Sequence, residues 1–221
     1  MTPNDLKFLK ALAKNNNREW FQKHKSEFDL AQAHFLDLVG GLIFALSEYD
    51  EGLTTVDPKS CVFRIYRDVR FSKDKAPYKN HLGAFICSGG RKSDTIPGYY
   101  IHIEPGGKSI YGAGLYMPDK NVLDSLRRNI ASEGSIVKLL DDKKFRKQFP
   151  EVVNDDAVKK VPRGYPAEHP RAQLLKQRHC FVYRYLSDAD VVKNTLLKNL
   201  GKDGGTLAKF NATLLAASRM K

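Results

Sequence analysis

The densest reactive chemistry lies in Arg64-Ile65-Tyr66-Arg67-Asp68-Val69-Arg70-Phe71-Ser72-Lys73-Asp74-Lys75-Ala76-Pro77-Tyr78-Lys79, where six basic and two acidic side chains mix with aromatics. Three arginines this close together repel one another unless something neutralises them. Guanidinium groups match carboxylates and phosphates through paired, directional hydrogen bonds. Two arrangements satisfy that chemistry. Asp68 and Asp74 can neutralise the arginines internally, in a salt-bridge network that locks a strand to the following loop. Alternatively the aspartates orient Arg64, Arg67, Arg70 and Lys75 as a clamp for a phosphate or carboxylate, with Tyr78 adding a phenolic hydrogen bond or a stacking face. In an extended chain Arg64, Asp68 and Arg70 share one face and Arg67 takes the other. A bulge or turn near Asp68 is then needed to gather the arginines.

A second grouping is His102-Ile103-Glu104. Alternation along a strand puts this imidazole and carboxylate on one face. The H-x-E pattern occurs in zinc deaminases, but the P-C-x-x-C segment that completes those sites is missing. No metal site and no cofactor is therefore assigned, and an ordinary core or surface histidine is the commoner outcome. With His81, these residues are the candidate proton carriers, since histidine is the side chain most readily poised near neutral pH. Gly89-Gly90-Arg91-Lys92-Ser93 and Gly106-Gly107-Lys108-Ser109 imitate phosphate loops but lack the spacing, and both read as turns. Hydrolase elbows, H-E-x-x-H zinc helices and G-x-G-x-x-G units are missing too.

These residues need a scaffold. Thr2-Pro3-Asn4-Asp5 opens a helix to about residue 14 with a capping box, and Asn17 can cap the next. That helix is predicted to run over 17–49, with Phe21, Phe28, Phe35, Leu42 and Tyr49 recurring every seven residues. The stripe fits a helix packed across a sheet better than a coiled-coil dimer, and Gly40-Gly41 within it predicts a kink or a close backbone contact. Residues 61–66, 82–87, 99–104, 109–116 and 179–185 read as strands, with 105–108 as a hairpin connection. Helices are expected over 119–131 and 135–145, and again in the C-terminal region, broken near 201–205. Strands grouped together and flanked by helices predict an α+β fold over residues 1–221 as one domain, mainly antiparallel, with a long N-terminal helix.

Charge bounds the partners. The 221-residue chain carries 37 Lys+Arg against 25 Asp+Glu, a net charge of +12, and the stretch 193–221 holds six basic residues and one acidic. Such a surface attracts anions: a phosphorylated small molecule or, as an alternative, nucleic acid bound with low sequence specificity. Cys61, Cys87 and Cys180 are odd in number, far apart and set among apolar neighbours, which predicts free buried thiols in a reducing compartment. No run approaches 18 uninterrupted apolar residues, so a cytoplasmic protein without a membrane partner is expected.

The segment carries the pattern R-x-x-R-D-x-R-F-x-x-x-[D/N]-K-x-x-Y on Arg64, Arg67, Asp68, Arg70, Phe71, Asp74, Lys75 and Tyr78. In this the chain resembles a bacterial family known as domain of unknown function 2461. The resemblance extends to Asn17-Arg18-Glu19-Trp20-Phe21 and to the region 98–116. It implies a conserved unit with a marked site and supplies no reaction and no catalytic residue. The function expected is binding of an anionic small ligand through the Arg/Asp/Lys motif. The alternatives are the nucleic-acid module, or a partner-binding protein whose motif is a structural ion-pair network.

Overall fold

Thr2 starts the first helix by a reciprocal cap. Its hydroxyl accepts the Asp5 N–H, the Asp5 carboxylate accepts the Thr2 N–H at 2.6 Å, and Pro3 fills the first helical position of α1 (Pro3–Lys14). Asn17 caps α2 (Arg18–Lys23) by accepting the Trp20 N–H at 2.9 Å. The single helix expected over 17–49 is in fact two. The backbone leaves helical geometry at His24 (φ −111°, ψ 20°), whose ring stacks on Trp20 at 3.9 Å. The long helix α3 (Lys25–Ser47) then begins. The computed structural model describes residues 1–70 and 72–219. Phe71 of the basic motif and Met220 and Lys221 of the basic C-terminal stretch lie outside the described residues.

The apolar stripe of α3 packs within its own chain, where Phe28, Ala31, Phe35, Leu38, Val39, Leu42, Ile43 and Leu46 are buried. By length and hydropathy α3 is the one helix among the described residues that could cross a membrane, and in this fold its apolar face forms part of the core. Gly41 marks a close approach rather than a kink, since a Cβ there would lie 2.5 Å from a methyl group of Leu197.

A 3-10 turn (Glu51–Leu53) and α4 (Pro58–Cys61) follow. The strand expected over 61–66 is not formed as such. Asp57 and Pro58 close a helical turn that takes in Cys61. Residues 62–66 then run alongside 78–84 with only two isolated bridges, Val62 to Ala84 and Tyr66 to Tyr78.

The other strands appear where expected: β1 (Leu82–Ile86), β2 (Gly98–Ile103), β3 (Ser109–Leu115) and β5 (Cys180–Leu186), joined by the two-residue β4 (Glu151–Val152). They form one antiparallel sheet in the order β1-β2-β3-β5-β4. Around it lie α5 (Lys120–Ala131), α6 (Ser135–Asp141), α7 (Lys143–Gln148), α8 (Ala172–Leu175), α9 (Asp188–Val191), α10 (Leu196–Lys202) and α11 (Gly204–Ser218). The helix expected over 135–145 divides at Asp142, whose carboxylate caps α7 by accepting the Phe145 N–H at 2.8 Å. The fold is α+β, and its three cysteines are free and buried.

Alternation divides the sheet. Leu82, Ala84 and Ile86, Tyr99, Ile101 and Ile103, and Tyr111, Ala113 and Leu115 point into the main core, against α3 and α11. The opposite face carries no packed helix layer among the described residues, and the candidate site lies there.

Candidate functional site

The floor of the site is made of glycine. On the open face, central strand β3 presents Ile110, Gly112 and Gly114, and the register sets Gly112 between Tyr100 of β2 and Tyr183 of β5. A Cβ at Gly112 would lie 2.1 Å from the Val182 carbonyl oxygen, so only glycine fits this close pairing. Gly114 adopts φ +136°, a conformation L side chains rarely take. Neighbouring strands lie about 4.8 Å apart, which leaves roughly 9–10 Å between the strands bearing Tyr100 and Tyr183 with no side chain between them. The result is a cleft of about 960 Å³, walled by Phe63, Tyr100, Phe181, Tyr183 and Tyr185.

At one end of the cleft three residues converge. Leu82 pairs with Ile103 and Gly83 with His102, so one further step of the register brings His81 opposite Glu104. The His81 and His102 rings stack at 4.1 Å. Glu104 Oε2 lies 3.0 Å from His102 Nε2 and 4.0 Å from His81 Nδ1. Asn80 donates its amide to Glu104 Oε1 at 3.1 Å, and Lys108 Nζ stands 3.6 Å from the same oxygen. The Tyr100 hydroxyl is 3.1 Å from His102 Nδ1. A hydroxyl that donates to Nδ1 leaves the ring proton on Nε2, facing the carboxylate.

Burial sets the protonation of this cluster. It pushes the His81 imidazole down to about 3, with His102 and Lys79 adding like-charge repulsion. It lowers His102 too, against the opposing pull of Glu104. Tyr100 is pushed up to about 12, chiefly by burial. At neutral pH the two imidazoles are therefore uncharged, and the tyrosine keeps its proton.

Charged residues line the cleft, four cations against the carboxylates of Asp94 and Asp155. Lys79 sits 5.3 Å over the Phe63 ring and, with Lys108, Arg91 and Lys92, borders the opening. Burial depresses the Lys79 ammonium, helped by Arg64 nearby. The two phosphate-loop imitations are turns, as expected. Gly90 closes one with φ +83°. In the other, the Asp188 carboxylate accepts the N–H groups of Gly106 and Gly107 at 2.9–3.0 Å, so a protein carboxylate occupies those donors.

The Arg/Asp motif forms a cross-tied loop beside this cluster. Arg67 Nη1 donates to Asp74 Oδ2 at 2.5 Å and to the Ala76 carbonyl at 3.1 Å, while Asp74 Oδ1 accepts the Ala76 N–H at 2.9 Å. Arg70 forks onto Asp68 through Nε at 3.0 Å and Nη2 at 2.7 Å. Lys75 donates to the Val69 carbonyl at 3.0 Å. Tyr78 is buried and stacks on Phe21 at 4.0 Å. Arg64 is exposed, and Phe71 lies outside the described residues. Arg67 and Arg70 thus pair with different aspartates, Asp74 and Asp68. Arg67, Asp74 and Tyr78 also line a second cavity of about 460 Å³, which Lys79 and His81 share with the main cleft.

The sequence reading included His81, His102 and Glu104 and missed Lys79, Tyr100, Lys108, Phe181 and Tyr183. A signal for Tyr100 was present, because it alternates with His102 and Glu104 on one strand face. Lys79, two residues before His81, and Lys108, four after Glu104, offered similar local signals, whereas Phe181 and Tyr183 reach the cleft only through cross-strand register. No curated protein and no solved structure matches this chain. One family does match, over residues 4–212, and it is described as conserved hypothetical proteins. The chain belongs to that family, domain of unknown function 2461.

Proposed function

We propose that the cleft on the open sheet face binds a small anionic ligand carrying a flat apolar or aromatic part, such as a nucleoside phosphate. The observation that carries this reading is the glycine-floored slot between Tyr100 and Tyr183, rimmed by Lys79, Lys108, Arg91 and Lys92. A concave, mostly apolar site with a few convergent polar groups is the usual form of a small-molecule pocket. Aromatic faces stack on a planar ring, and the lysines offer point charges to a phosphate or carboxylate. His102 and Glu104 fix the orientation of polar groups at the closed end. In this reading Arg67 and Arg70 shape the loop through Asp74 and Asp68, and Arg67 acts on the ligand indirectly, through the cavity it shares with Lys79 and His81.

A thermal-shift and calorimetric screen tests the proposal. It uses inorganic phosphate, sugar phosphates, nucleoside mono- and triphosphates and short single-stranded oligonucleotides, at two salt concentrations. Stabilisation by a nucleotide, weakened in Tyr183→Ala, is the expected outcome. Stabilisation by oligonucleotides alone, falling steeply with salt, would replace it with the nucleic-acid reading. A screen without any stabilising anion would reject it.

A further inference from the structure

We propose that His81, His102 and Glu104 form a three-ligand site for a first-row divalent cation of the zinc class, open toward the cleft. The donors come from two strands and meet through the β1–β2 register. His102 Nε2 and His81 Nδ1 lie 3.0 and 4.0 Å from the same carboxylate oxygen, and one donor atom from each of the three residues falls within 4.8 Å of the others. Zinc bonds these atoms at about 2.0–2.2 Å, so two donors of one ion stand at most roughly 4.2 Å apart. Both histidine–carboxylate pairs already meet that limit.

Two imidazoles and one carboxylate, with a position left free, are the donor set of catalytic zinc and of open iron(II) sites. The free position faces the cleft, where water or an anionic oxygen can complete the shell. Outer partners are in place. The Tyr100 hydroxyl holds His102 at Nδ1, and the Asn80 amide holds Glu104 at Oε1, the kind of support that orients metal ligands. His81 Nδ1 also lies 3.4 Å from Asn80 Oδ1, and binding the ion through Nδ1 places the ring proton of the neutral imidazole on Nε2. The ion takes the place of the proton shared by His102 and Glu104, and Nδ1–H then donates to the Tyr100 oxygen. Lys108 opposes the ion electrostatically, but its side chain is 68% exposed and free to turn into solvent.

The site stands apart from the ligand reading, because the metal is titrated with no anion present. The chain, stripped with chelator and dialysed, is titrated calorimetrically with Zn²⁺ and spectroscopically with Co²⁺. One Zn²⁺ per chain is expected, with cobalt bands of a four- or five-coordinate site. The sulfur charge-transfer band that Cys61 or Cys87 would add should not appear. His81→Ala and Glu104→Gln should each lower affinity more than about 100-fold, beyond what disturbing only the outer partners does. Glu104→Gln is nearly isosteric and decides the matter if His81→Ala fails to fold. A chain that takes up no stoichiometric zinc, variants that bind as wild type does, or a thiolate band would each overturn the proposal.

Discussion

Asn16 and Tyr78 are 62 residues apart, yet they pair as neighbouring strands do: the Asn16 amide donates to the Tyr78 carbonyl at 2.8 Å and its oxygen accepts the Tyr78 N–H at 3.0 Å. This side chain, at the break between α1 and α2, holds the end of the basic motif against the helices. Tyr78 reinforces the joint by stacking on Phe21. Each part-buried hydrogen bond of this kind contributes about 1 kcal/mol net. Asn16→Ala should therefore cost about 2 kcal/mol in chemical denaturation, with an unchanged dependence on denaturant. Asn16→Asp keeps the acceptor and should lose roughly half of that. A loss near zero would show that Phe21 and Tyr78 hold the joint unaided.

The acidity of Asp68 reports the motif's internal pairing. Hydrogen bonds from the Arg70 side chain and backbone hold its carboxyl down, to about 2. A carboxyl whose folded pKa is depressed contributes stability above its unfolded value, near 3.9, and that contribution is lost as pH falls through about 2. Carboxyl carbon NMR should place the Asp68 midpoint near 2 in the wild type and return it toward roughly 3.9 in Arg70→Ala. A wild-type midpoint near 4 would show that the arginine is not held by the aspartate in solution.

Gly112 should tolerate no side chain. Its Cβ position falls 2.1 Å from the Val182 carbonyl oxygen and 2.7 Å from Tyr183 Cβ, so alanine must push β3 and β5 apart. Gly112→Ala should cost about 1–3 kcal/mol, as overpacking does. Hydrogen exchange should speed up along the β3–β5 pair before it does along β1–β2. Gly106→Asn provides the contrast, since its turn has φ +86° but nothing within 4 Å of the new carbon, and asparagine tolerates that conformation. Equal losses at the two positions would remove the steric argument for the cleft floor.

Stacking and charge in the proposed ligand site separate by magnitude. A base stacked on an aromatic side chain gains about 1–3 kcal/mol, so Tyr183→Ala should weaken nucleotide binding roughly 5- to 150-fold. Lys108 is largely exposed, and a pair of that kind contributes at most about 1 kcal/mol. Lys108→Ala should therefore cost about fivefold or less, and the loss should vanish at high salt. Isothermal titration at two ionic strengths checks both. A larger, salt-sensitive loss for the lysine would mean that the ligand is held by charge at the rim rather than by the slot.

Much of the fold was legible because its signals are local. The Thr2–Asp5 cap, the strands β1, β2, β3 and β5, and the 105–108 connection rest on residue types within a few positions of one another. The expected strand over 61–66 failed because Asp57 and Pro58 wound a helical turn into its start, and the helix over 17–49 broke at His24, where the backbone turns aside. Side-chain alternation likewise could not follow the motif, since strand periodicity ends in the loop where Arg67 turns to Asp74 and Arg70 to Asp68.

The sequence alone determined that His102 and Glu104 share a face, because two residues along a strand return the side chain to the same side. It also placed Asp68 and Asp74 within the basic motif, while leaving open whether they neutralise its arginines or orient them toward a ligand. Only the tertiary structure decided that His81 joins that pair and that Gly112 opens a slot between Tyr100 and Tyr183. It likewise decided that Lys79 belongs to the cleft as well as to the motif. Those relationships depend on which residues face one another across strands. Register is set by the packing of one sheet face on the helices, and no single segment of the chain contains that information.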